Sequence, residues 1–248
     1  VWSKFETGCE TFKRMNDKGY LFNVHDGDRY YDVYNPEARA LHWNMMKNML
    51  FCRGVDAWWL DATEPEVAGW DYKLETYKRL MTPSIGTAAR YLNSYALCSS
   101  QGVYEGQRAT TDRKRVFILS RSGYAGTQRY ASAVWSGDIN ASWDVFRKQI
   151  PAGLNYCLAG LPYWTTDTGA FFVNDFKGGC ENPEYRELFT RWFQYSTFCP
   201  IFRVHGSGTP REMWKFGEAG TVHYDTQMVF DRLRYRLMPY IYSLADRV

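Results

Sequence analysis

Short apolar runs alternate along the chain with stretches in which apolar residues recur at helical spacing. Asn35-Pro36-Glu37 has the order of an N-cap, a proline at the first helical position and an acid in the first turn. Leu41, Met45, Met49 and Cys52 then keep one helical face, and Gly54 supplies a stop. The run GVDAWWL, ending at Leu60, predicts a short strand. A second helix is expected over 87–104, with Tyr91, Leu92, Tyr95 and Cys98 on one face. RVFILS (115–120) and RYASAVW (129–135) predict two strands, 142–150 a brief helix, and LAGLPYW (158–164) another strand. Asn182-Pro183-Glu184 repeats the helix-start signal ahead of Tyr185, Leu188, Phe189 and Trp192. CPIFRVHG (199–206) reads as a strand, and the chain from Asp225 as a helix kinked at Pro239.

Short apolar runs interleaved with helices imply an α/β fold with a parallel sheet buried on both faces. The simplest closed version is the (β/α)8 TIM barrel, and 248 residues is about the usual size of one. With no internal repeat and no Pro/Ser-rich linker, residues 1–248 are read as one domain.

Composition narrows the function. The net charge is +3 and no basic block of five or more occurs, which argues against a nucleic-acid partner. The apolar runs are too short for a membrane span. The cysteines (Cys9, Cys52, Cys98, Cys157, Cys180, Cys199) lack CxxC spacing, which argues against structural zinc. They are expected to be free and mostly buried thiols, and they argue against a disulfide-rich secreted scaffold. The compartment stays open between cytoplasm and periplasm. His25, His42, His205 and His223 form no HExxH, so no metal site is expected. Ten Trp, 19 Tyr and 15 Phe suit either an aromatic core or a sugar site, where flat rings stack on pyranose faces.

In a barrel, functional residues sit at the C-terminal ends of strands. The predicted strands lead to Asp61 in WWLDATEPE, Arg121 in SRSGYAG, Asp138 in WSGD, Asp167 in TTDTGAFF, and His205. Two carboxylates on one rim can divide labour, one ionised as nucleophile and one protonated for the leaving group. Retaining glycosidases hold such a pair about 5–5.5 Å apart. Plainer readings stand beside these. Asp61 could be a solvated strand-end acid, Asp138 a turn aspartate after Gly137, His205 a core histidine and Arg121 a structural partner. Glu64 and Glu66, around the turn residue Pro65, read as loop or supporting acids, and Asp71 and Asp144 as loop or first-turn acids.

Seven blocks in order carry a resemblance from about Trp2 onward: VWSKF, YYDVYNPEAR, GVDAWWLDATEPE, RSGYAGTQRYASAVWSGDI, AGLPYWTTDTGAFF, RWFQYSTFCPIFRVHG and RYRLMPYIYSLA. The chain resembles glycoside hydrolase family 31, the α-glucosidases, α-xylosidases and relatives. The resemblance implies that Asp61 is the nucleophile and Asp138 the general acid/base. It implies that Arg121 and His205 bind sugar hydroxyls, and that Trp59, Trp135 and Phe171 wall the −1 subsite. Asp167 matches an acid of the family's Asp-x-Gly-Gly-Phe block and is expected to bind substrate; the block reads DTGAF here with Ala170 for the second glycine. No metal or organic cofactor is implied, and the substrate is an oligosaccharide with a terminal α-linked sugar.

Family α-glucosidases follow the nucleophile with Met-Asn-Glu. Ala62-Thr63-Glu64 here resembles bacterial α-xylosidases instead. Xylose lacks the C6 hydroxymethyl group, and a group of that size is worth only about 1–3 kcal/mol of discrimination, so a few residues can switch it. An α-glucosidase, transglycosylase or lyase of the family, and a non-catalytic sugar-binding relative, are the alternatives. The opening on VWSKFETG, without a start methionine, predicts a fragment running from about the end of barrel strand three to the helix after strand eight. Such a fragment would lack an early-strand aspartate of the family and is expected to fold poorly and be inactive alone.

Overall fold

The computed structural model describes residues 1–22, 29–67 and 73–247. His25 and Asp71 lie outside the described residues. Two compact units are present, Val1–Val134 and Trp135–Val248.

In the first unit, β1 (Lys4–Phe5) and β2 (Arg29–Tyr30) pair antiparallel around α1 (Glu10–Asp17). Then follow α2 (Pro36–Met49), β3 (Trp58–Leu60), α3 (Leu74–Leu80), α4 (Ala88–Tyr91), α5 (Tyr95–Thr110), β4 (Ile118–Ser120) and β5 (Ser132–Trp135). β3, β4 and β5 run parallel in one register, Trp58↔Ile118↔Ser132 through Leu60↔Ser120↔Val134. β3 and β4 therefore end level, with β5 running one residue further to Trp135, and Asp61 and Arg121 leave at the same edge. Alternation along β3 buries Trp58 and Leu60 and leaves Trp59 36% exposed on the other face. Trp58, Leu60 and Ile118 pack with Trp43, Met46 and Val103, each large buried side chain contributing about 1.5–3 kcal/mol. α2 and α5 approach closely because Gly106 has no side chain; a Cβ there would lie 2.2 Å from Cγ of Trp43.

The second unit contains α6 (Trp143–Leu158), β6 (Trp164–Thr165), α7 (Pro183–Ser196) and α8 (Val222–Ala245). Asn182 caps α7 as its sequence predicts, accepting from Glu184 N at 2.9 Å and Tyr185 N at 3.2 Å. Tyr185, Leu188, Phe189 and Trp192 are all fully buried.

Several expectations change. Asn35 caps α2, but the buried face is Ala38, His42, Trp43 and Met46, while Met49 and Cys52 are exposed. The polar His42 hid that face from a count of apolar residues, and it is buried because Nδ1 lies 3.1 Å from the Tyr31 hydroxyl. The helix expected over 87–104 is divided by a 3-10 turn at Leu92–Ser94 and continues to Thr110. α6 runs through Pro151 to Leu158, because an interior proline removes one donor without ending a helix capped by Ser142 and buried on one side. LAGLPYW is accordingly split between the end of α6 and a β6 that begins at Trp164. α8 starts at Val222 and carries Pro239 inside it.

Residues 199–206 form no strand. Their carbonyls are taken by side chains: Arg234 donates to Cys199 O and Pro200 O, Thr165 Oγ1 to Ile201 O, and Thr168 Oγ1 to Arg203 O. Of the thiols only Cys180 and Cys199 are buried; Cys9, Cys52 and Cys157 are exposed, and Cys9 instead caps α1 by accepting from Phe12 N.

Candidate active site

The first unit places a buried guanidinium against a carboxylate at the level ends of β3 and β4. Arg121 N donates to Leu60 O at 3.1 Å, which sets Arg121 beside Asp61. Arg121 Nη1 lies 3.2 Å from Asp61 Oδ1, and that oxygen also accepts from Ala62 N at 2.9 Å. The guanidinium binds Glu64 through Nε at 2.9 Å and Nη2 at 3.1 Å, and Nη2 also reaches Glu66. Burial alone would lower the Arg121 pKa. The carboxylates of Glu64, Asp61 and Glu66 outweigh it and push the group up, so it is a fixed positive charge. Burial raises the Glu66 carboxyl, Arg121 opposing. Thr63 fastens the same loop to the next strand exit: its Oγ1 lies 2.9 Å from Ser120 Oγ and accepts from Ser122 N at 3.1 Å. The turn expected around Pro65 is present.

The second unit gathers the remaining predicted residues. Gly137 has a φ of 76°, which turns the chain into half-buried Asp138. The segment after Asp138 is stitched to the TTDTGAFF loop: Phe171 N and Phe172 N donate to Ile139 O, and Ala141 N to Phe172 O. Asp167 is fully buried and accepts from Arg203 Nη1. Burial pushes its carboxyl up to about 7, with Arg203 opposing and Asp138 adding to the rise. Arg203 also lies over the Trp135 indole, 5.2 Å from its centroid. The Phe171 ring lies 5.6 Å from the His205 ring. Ala170, where the family motif has glycine, holds a φ of 69°, so the glycine-type backbone is kept. Asp144 is an exposed first-turn acid of α6 paired with Arg147 and Lys148.

Sequence reading passed over Arg203. Its partner Asp167 stands 36 residues away in the chain, a separation that no spacing rule reaches. Among the described residues no group of three His, Cys, Asp or Glu is placed to hold a metal. No described helix is long and apolar enough to cross a membrane.

The family model for the glycosyl hydrolases family 31 TIM-barrel domain matches residues 1–244. An alpha-xylosidase of Saccharolobus solfataricus is 44% identical over 245 residues, 99% of this chain and 32% of its own length. An alpha-glucosidase of the same organism is 28% identical over 279 residues, covering 98% of this chain and 38% of its own length. The crystal structure of the GH31 alpha-xylosidase from Xanthomonas citri superposes with a TM-score of 0.92 at 43% identity, covering 99% of this chain and 28% of that one. The chain thus spans about a third of the curated relatives' length and carries the α/β barrel fold with its parallel strands. It belongs to the TIM-barrel domain family of the family 31 glycosyl hydrolases.

Proposed function

We propose that this chain carries the catalytic groups of a retaining, exo-acting α-glycosidase, and that the enzyme is an α-xylosidase acting on oligosaccharides. The carrying observation is the ion pair of buried Arg121 with Asp61, which sets a fixed cation 3.2 Å from a strand-end carboxylate where a nucleophile is needed. Asp61 attacks the anomeric carbon and forms a glycosyl-enzyme. Asp138 protonates the departing oxygen, then takes a proton from water in the second step. Arg121 and His205 hold sugar hydroxyls, Trp59, Trp135 and Phe171 wall the sugar, and Asp167 steadies that wall through Arg203. Residues 1–248 serve as one partial catalytic barrel domain, and the chemistry needs no metal or organic cofactor.

The xylose reading rests on the 44% identity to a protein named alpha-xylosidase, against 28% to an alpha-glucosidase of the same organism. A non-catalytic sugar binder would have no use for an acid/base pair, and both Asp61 and Asp138 are present. The test is release of p-nitrophenol from its α-xyloside and α-glucoside by the full-length protein, with Asp61→Ala as control. Dominant xyloside cleavage and an inactive variant are expected. Dominant glucoside cleavage would move the enzyme to the α-glucosidases, and an active Asp61→Ala protein would overturn the mechanism.

A further inference from the structure

The reading of Asp61 as nucleophile leaves two acids of its loop without a task. Both converge on Arg121. Glu64 takes one edge of the guanidinium with both carboxylate oxygens, through Nε at 2.9 Å and Nη2 at 3.1 Å. Glu66 takes a second contact on Nη2, and Nη1 faces Asp61 at 3.2 Å. A planar fork held on two sides cannot rotate away from its third. The side chains of Arg121, Asp61 and Glu66 are 6%, 11% and 14% exposed, so water screens this group weakly.

The charge count is unusual for an ion pair. Among the described residues, three carboxylates meet one guanidinium. A nucleophile must be ionised and yet give up its charge when the glycosyl bond forms. A cation serving Asp61 alone would hold that charge too firmly. A cation shared with Glu64 and Glu66 orients Asp61 while holding its charge less tightly.

We infer that Glu66 is a positioning residue of the nucleophile: it locks the Arg121 guanidinium against Asp61 and, as a neighbouring like charge, weakens the hold of Arg121 on the Asp61 carboxylate. The inference rests on the proposed role of Asp61. The charged and titratable groups that face Glu66 among the described residues are Arg121 from the β4 exit, Glu64 and Asp61 from its own loop, and Tyr30 from β2.

The test uses α-xylosyl fluoride, whose leaving group needs no protonation, so that its pH profile reads the nucleophile. The full-length protein is compared with Glu66→Gln and Glu66→Ala. Glutamine keeps an acceptor for Nη2 and removes the charge, so the acid limb of kcat/KM should move to lower pH by about half a unit or more. Alanine removes the lock as well, so its acid limb should lie above that of Glu66→Gln, with kcat/KM lower by about tenfold. An acid limb common to all three proteins overturns the inference, whatever the rates. If Glu66→Ala does not fold, the limb of Glu66→Gln alone decides. The control is Asp61→Ala: turnover by that variant refutes the nucleophile and the inference together, whereas an inactive Asp61→Ala with unmoved Glu66 limbs refutes the inference alone.

Discussion

Arg203 donates through Nη1 to Oδ1 of Asp167, a carboxylate with no exposed surface whose Oδ2 has no partner among the described residues. Burial pushes this carboxyl up to about 7. An aspartate raised above its unfolded value of about 4 gives stability that is complete below that pH and is lost as the pH climbs through 7. Asparagine imitates the protonated form at every pH. Urea unfolding of the wild type and Asp167→Asn at acid and alkaline pH should therefore show a difference that moves in favour of Asn, by roughly 1–4 kcal/mol between pH 4 and pH 8. A difference independent of pH would show that Asp167 is ionised throughout.

Arg121 meets its carboxylates as a fork, and a lysine offers only a point charge. Arg121→Lys should keep the far-ultraviolet circular dichroism of the parent and lower kcat/KM by roughly 10²–10³-fold. Initial rates on the nitrophenyl xyloside measure this directly.

Asp138 is assigned to the proton and not to the bond at the anomeric carbon. Asp138→Ala should lower kcat/KM for xylosides with poor leaving groups by roughly 10²–10⁴-fold and spare kcat/KM for α-xylosyl fluoride, the loss of the base for water falling on kcat alone. Equal losses on both substrates would remove Asp138 from the acid/base role.

Ala170 holds a left-handed backbone that costs an L-residue about 1–2 kcal/mol. Ala170→Gly should raise stability by roughly 1 kcal/mol once the flexibility of glycine is offset. The preceding residue reverses the sign. A Cβ at Gly169 would lie 2.3 Å from Cδ2 of Phe189 at a φ of 82°, so Gly169→Ala should lose at least about 2 kcal/mol. Thermal unfolding of the two variants reads both effects.

What could be read from the sequence was what depends on near neighbours. The start of α7 was legible because Asn182 caps amides two and three residues away. The strand exits at Asp61 and Arg121 were legible because each follows a short apolar run. Residues 199–206 were misread because their hydrogen bonds come from Thr165, Thr168 and Arg234, some 34 to 36 residues distant. Glu64 and Glu66 were read as supporting acids, but their common partner stands 57 and 55 residues away, and no spacing rule points to it. Arg203 was missed for the same reason, with Asp167 at a separation of 36.

The stitching of Ile139 and Ala141 to Phe171 and Phe172 bears on attempts to alter sugar preference by loop exchange. The donors of one segment are cut to the acceptors of the other. A transplant of residues 136–141 alone, or of 167–172 alone, would present amides and carbonyls to a counterpart of the wrong shape. The two must travel as a single cassette.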